Sequence, residues 1–184
     1  MTAAVTSTET LIPPTAASAL RESAQVYWDL SHTPRKGSDG TYEPSGLFSN
    51  LASALRDASI NVESGSSDIA SLNLDQYDVL VISATSSYGT PYSVAEAIVI
   101  GEYVDRGGGL IILAEDATFT NNISQVAGYF NVSLAISTGV YDAKPDSSLS
   151  ISEGVSSLYF YNGGLINKSG SSDTLIISEP SGSG

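Results

Sequence analysis

The chain holds one histidine, His32, and no cysteine. His32 closes the run Asp29-Leu30-Ser31-His32. An imidazole titrates near neutral pH, so it could act as a general base or a metal ligand. It could equally bond a carboxylate or a carbonyl and steady its own turn. A hydroxyl-rich run follows later, Ser83-Ala84-Thr85-Ser86-Ser87-Tyr88, and then the acidic pair Glu115 and Asp116. Asp29, Glu115 and Asp116, with serine hydroxyls and carbonyls, would suit a hard cation. Carboxylates in such places also cap turns. Ser83 or Ser86, His32 and Glu115 can be drawn as a hydrolytic triad, but the chain has no G-x-S-x-G elbow. Without cysteine there is no thiol nucleophile, thiolate metal site, iron–sulfur cluster or disulfide.

These groups can meet only if strands deliver them to one edge. Gln25 to Leu30 reads as a first strand. The polar loop Ser31–Glu43 follows, carrying Arg35 and Lys36, which could fold over the edge. Pro44 suits the opening turn of a helix whose apolar face is Leu47, Leu51, Leu55 and Ala58, flanked by Phe48 and Ala54. Ile60–Glu63 is a short second strand. Tyr77–Ser83 is a third, and its β-branched run predicts a parallel strand covered on both faces. Ser93 and Glu96 form an S-x-x-E capping box ahead of a second helix with the apolar stripe Val94, Ala97, Ile98, Gly101 and Val104. Arg106 suits the end of that helix and Gly107-Gly108-Gly109 supplies its stop, so the glycines are no phosphate loop. Leu110–Ala114 is a fourth strand. Thr120 is expected to cap a helix reaching Tyr129, and Val132–Ala135 to be a fifth strand. Leu158–Tyr161 and Leu165–Ile166 read as a hairpin around Asn162-Gly163-Gly164, and Thr174–Ser178 as a last strand. Alternating strands and helices predict an α/β fold, a flavodoxin-like open parallel sheet in the order 2-1-3-4 plus C-terminal strands, with helices on both faces. Strands one, three and four are expected to be central.

In such a sheet a ligand sits beyond the carboxyl ends of the strands. That places Asp29, His32, Ser83, Ser86, Glu115 and Asp116 on one rim as the candidate ligand-binding residues. His32, Asp29, Ser83 and Glu115 are the candidate catalytic groups, and Asp29, Glu115 and Asp116 the candidate metal ligands.

Composition narrows the function. Of 184 residues, 7 are Lys or Arg and 20 are Asp or Glu, a formal charge of -13. This argues against nucleic acid and anionic membrane surfaces as partners. No apolar run is long enough for membrane insertion, and the first residues lack the basic and apolar regions of a signal peptide. Residues 1–23 read as a linker or arm, 24–179 as the α/β domain and 180–184 as a tail. The sequons at Asn122, Asn131 and Asn167 match chance in a chain so rich in Asn and Ser.

Four stretches, QVYWDLSH, LNLDQYDVLVIS, EYVDRGGGLIILAED and ISEGVSSLYFYNGG, stand in an order that resembles class I glutamine amidotransferase-like domains of bacterial and archaeal envelope proteins. Related domains occur in β-galactosidase trimerisation modules and at the N-terminus of an intraflagellar transport protein. In true amidotransferases a cysteine occupies the turn after the strand matching Leu110–Ala114, where this chain has Ala114-Glu115-Asp116-Ala117. The resemblance therefore implies the fold, no glutaminase chemistry, and kinship with non-enzymatic modules. The expectation is a non-catalytic ligand-binding or assembly domain of a larger bacterial envelope or secreted protein. Its partner would be a small molecule, a glycan or a protein, and no cofactor is expected. An extracytoplasmic place is favoured, with a cytoplasmic one left open. The alternative is a hydrolase using His32 with strand-end carboxylates, with or without a metal.

Overall fold

The structure is a computed structural model that describes residues 23–114 and 121–136, together with strands at 140–145, 158–161, 164–168 and 177–178. Its centre is a four-stranded parallel sheet built from β1 (Gln25–Asp29), β4 (Asn61–Gly65), β5 (Val79–Ser83) and β6 (Gly109–Leu113), in the order β4-β1-β5-β6. That is the expected 2-1-3-4 order. The polar loop after β1 folds into a small hairpin of β2 (Lys36–Gly37) and β3 (Gly40–Thr41).

Strand alternation divides the core into two layers. Val26 and Trp28 of β1 join Val62 and Val81 on one face, under Ala52 of α1 (Ser49–Asp57). Tyr27 of β1 joins Leu80 and Ile82 on the other face. There they meet Ala97, Ile100 and Tyr103 of α2 (Val94–Asp105) and Val126 of α3 (Ser124–Tyr129). Helices therefore cover both faces, as parallel strands require.

Several details depart from expectation. The buried side of α1 is Phe48, Ala52 and Leu55, while Leu47 and Leu51 are exposed. Residues at spacings of four and three exist on either side of this helix, and the stripe over β1 and β4 is the one set by Ala52. The helix begins at Ser49, so Pro44 lies in the turns ahead of it. Strand β6 is not central: among the described residues it closes one edge of the sheet, and Ile111 is 47% exposed. Nor, among the described residues, do the two runs of the expected C-terminal hairpin pair with each other. Leu158–Tyr161 (β9) pairs antiparallel with β8 (Val140–Pro145), and Gly164–Lys168 (β10) pairs antiparallel with β7 (Val132–Ile136). Strand β11 (Ile177–Ser178) also pairs with β8. The intended cap Thr120 and the turn residues 162 and 163 lie outside the described residues.

The junction from α2 to β6 follows its glycines. Gly107 has φ +100, the left-handed stop that ends the helix. A β-carbon on Gly108 would overlap the ring of Tyr103, a buried residue whose hydroxyl donates to Tyr77 O at 3.2 Å. Gly108→Ala is therefore expected to cost about 1–3 kcal/mol by overpacking. Urea denaturation checks this, and an unchanged midpoint would mean that the Tyr103 ring can yield.

Candidate functional site

Strand alternation also decides which rim residues meet. Asp29, last in β1, points to the α2 face. Its Oδ1 accepts the Ser31 N–H at 2.9 Å, and its Oδ2 accepts the Ser31 hydroxyl at 3.0 Å. The buried Tyr92 hydroxyl also donates to Asp29 Oδ2 in a short hydrogen bond. Burial first, and then the Asp29 carboxylate, raise Tyr92 well above the ordinary phenol value, so it remains a donor. Tyr27, beneath, is pushed up to about 12 by burial and then by Asp29.

The Tyr92 ring stacks on His32, with centroids 3.7 Å apart and planes at 29°. His32 is 7% exposed. Its Nδ1 lies 2.7 Å from the Thr90 carbonyl oxygen and its Nε2 lies 2.8 Å from Glu96 Oε1. Carbonyl and carboxylate oxygens only accept, so each ring nitrogen faces an acceptor. The other Glu96 oxygen accepts the Ser93 N–H at 2.8 Å, while Ser93 Oγ accepts the Glu96 N–H at 3.2 Å. The capping box and the histidine clasp thus share one carboxylate. Burial alone would raise the Glu96 carboxyl. The Ser93 hydrogen bonds and the His32 bond and charge outweigh it, and hold that carboxyl below its ordinary 4.5.

Ser83 leaves the sheet on the opposite face. Its hydroxyl accepts the Trp28 Nε1–H at 3.3 Å and donates to Tyr42 O at 2.8 Å. A strand end brings side chains to one rim but sends successive ones to opposite faces, which is why Ser83 turns from Asp29 and His32. Glu115 and Asp116 lie outside the described residues. Ser86 takes part through its backbone: its N–H donates to Thr33 O at 2.8 Å and its carbonyl accepts from Asn122 Nδ2 at 2.9 Å. Among the described residues no group of three or more acidic, histidine or cysteine side chains could hold a metal ion.

The loops after β1 and β5 are joined to each other. Pro34 bridges Thr85, and the Arg35 N–H donates to Ala84 O at 2.9 Å. Thr33, between His32 and this bridge, has φ 53, a costly conformation for a β-branched residue that the surrounding bonds hold in place. The loops flanking the crevice between β1 and β5, where strand order reverses and ligands of open sheets bind, are thereby tied together by backbone bonds. Beside the crevice, among the described residues, lies a shallow groove of about 430 Å³. Ser31, His32, Ser66, Asp68, Ser93 and Glu96 are among its lining residues.

Sequence reasoning missed three members of this network. Glu96 was legible as a cap but not as the partner of His32, 64 positions away. Tyr92 precedes the cap Ser93, an aromatic placement that signals a packed helix entry. Asn122, read as a sequon, is buried and clamps the β5 loop, its Nδ2 donating to both Ser86 O and Gly89 O. That sequence carried no signal of the clamp.

No protein-family model matches the chain, and no curated protein sequence matches it. Among solved structures it is similar to the mmIFT52 N-terminal domain, with a TM-score of 0.64 and 13% identity over 84% of this chain and 72% of that one. It is also similar to a Thermoplasma acidophilum protein provisionally described as a GMP synthase subunit, with a TM-score of 0.52 and 18% identity over 87% of this chain and 75% of that one. The likeness is one of fold: an open α/β sheet of the flavodoxin-like, amidotransferase-like kind.

Proposed function

We propose that this is a non-catalytic binding or assembly domain: an amidotransferase-like module without the nucleophile, belonging to a larger envelope or secreted protein. One observation carries the reading. Among the described residues, Asp29, His32 and Ser83 are already bonded within the protein. A general base needs a free nitrogen lone pair, whereas both His32 nitrogens face acceptors. A serine nucleophile needs its proton on a base, whereas the Ser83 hydroxyl donates to Tyr42 O. These side chains also leave opposite faces of the sheet.

The envelope or secreted setting is supported by composition alone: no cysteine and a charge of -13. The two structural likenesses extend to neither activity nor partner.

The protein is expected to release no ammonia from glutamine and to turn over no nitrophenyl ester, phosphate or glycoside above a buffer blank. Hydrolysis that His32→Ala abolishes, in a variant that still folds, would replace this reading with the hydrolase one.

A further inference from the structure

The α2 stripe expected to face the core does so only in part. Ala97 and Gly101 are buried, yet Val94 is 62% and Ile98 is 44% exposed. These two stand one turn apart on the solvent side, and the next positions along that line are Glu102 and Asp105, also exposed. Tyr129 widens the strip. Its ring lies against Gly101, where a β-carbon would overlap it, and it remains 40% exposed. Helix geometry puts Gly101 one turn from Ile98, so the ring borders the apolar pair. The result is a convex strip, apolar at the start of α2 and acidic at its end. Arg106, just beyond, is held by Asp75 at 2.9 Å. The carboxyl end of the helix dipole adds to the negative character there.

We propose that this strip of α2 is a docking surface for a basic amphipathic helix of a partner protein, with the partner's apolar side on Val94, Ile98 and Tyr129 and its cations on Glu102 and Asp105. The inference rests on the binding-module reading and names its surface. The chemistry of the strip selects the occupant. A convex strip gives a small molecule no enclosure. A second copy of the chain fits poorly, since an antiparallel copy sets Val94 against Asp105 and a parallel copy sets acids beside acids. The net charge of -13 opposes self-association further. A helix laid along α2 can fill its grooves by ridge packing while meeting both ends of the strip.

The test uses the full chain labelled with nitrogen-15. The probe is a synthetic amphipathic helical peptide of leucine and lysine, and its glutamate-for-lysine counterpart is the control. The lysine peptide is expected to shift amides of Val94–Asp105 and Tyr129, and the glutamate peptide to shift none. The double variant Val94→Ser with Ile98→Ser, whose side chains lie outside the core, should unfold at the wild-type temperature. It should also bind the lysine peptide about tenfold more weakly, the loss of one ordinary apolar contact or more. Shifts spread over other acidic surfaces and unchanged in that variant would overturn the proposal. So would a dimer in sedimentation equilibrium that the variant abolishes, or shifts in Val94–Asp105 on deleting residues 1–22, which would give the strip to a second copy or to the arm. Failure here leaves the non-catalytic reading standing. Hydrolase activity would remove that reading, and it is measured separately from binding at the strip.

Discussion

Trp28→Ala is expected to lower unfolding free energy by about 3–5 kcal/mol, a large share of the roughly 5–15 kcal/mol of an ordinary domain. Trp28 is 1% exposed, in the layer between the sheet and α1. Its ring packs at 5.0 Å from that of Phe48, and Val26, Ala52, Val62 and Val81 complete its surroundings. Truncation to alanine removes the largest side chain of the layer. The cavity cannot collapse readily, because β1 is held by strands on both sides. Trp28→Phe separates packing from hydrogen bonding. It keeps most of the volume and removes the Nε1–H bond to Ser83, so a cost of about 1–2 kcal/mol, smaller than that of Trp28→Ala, is expected. Since Trp28 is the sole tryptophan, urea unfolding must be followed by circular dichroism rather than fluorescence. An alanine variant within about 1 kcal/mol of wild type would mean that this layer is not packed as described.

Trp28 also shows how far the fold could be read in advance. The continuous apolar run of Tyr77–Ser83 predicted a strand covered on both faces, and in the structure the two-residue period sorts side chains into layers. Val26 and Trp28 went with Val81, and Tyr27 with Leu80 and Ile82. The capping box and the left-handed Gly107 were legible because each is a local bond or a local backbone requirement. The misreadings concern relations that no local pattern encodes. The stripes of α1 and α2 were rotated, since a helix with apolar residues on two sides does not say which side its sheet takes. Val94 and Ile98 look like core residues in sequence and are surface residues in space. The edge position of β6 depends on what pairs beyond it, and the runs 158–161 and 164–168 pair with β8 and β7 rather than with each other.

The site was legible to the same degree. The strand-end rule put Asp29 and His32 on one rim, because parallel strands share a direction, and both lie against Tyr92. It was silent on faces, so it could not separate Ser83. Nor could it find Glu96, which comes from a helix N-terminus rather than a strand end. The partners of the His32 ring nitrogens are Thr90 and Glu96, both on the far side of the β5 loop. Their role is to pin the loop after β1 against the entry of α2. A strained Thr33 follows at once, so the pin and the strain belong to one loop conformation.

Glu96→Ala should release that pin, at an expected cost of about 3 kcal/mol, the lower end for breaking a buried pair. The variant leaves His32 Nε2 facing no acceptor and removes the acceptor of the Ser93 N–H at the head of α2. Glu96→Gln keeps an acceptor of similar shape but no charge, so its loss should be smaller. His32→Ala should cost less than Glu96→Ala, because the Ser93 bonds to the carboxylate remain. The pH dependence follows from the lowered Glu96 carboxyl. A carboxyl whose folded value lies below its unfolded one contributes stability that is fully present above the unfolded value and disappears as pH falls through the folded one. The stability gap between wild type and Glu96→Gln should therefore be level above about 4.5 and shrink as the solution is acidified below it. Urea midpoints from pH 7 to pH 3 would show this. A gap that widens on acidification would mean that Glu96 is not held as the carboxylate, and the clasp between the β1 loop and α2 would have to be abandoned.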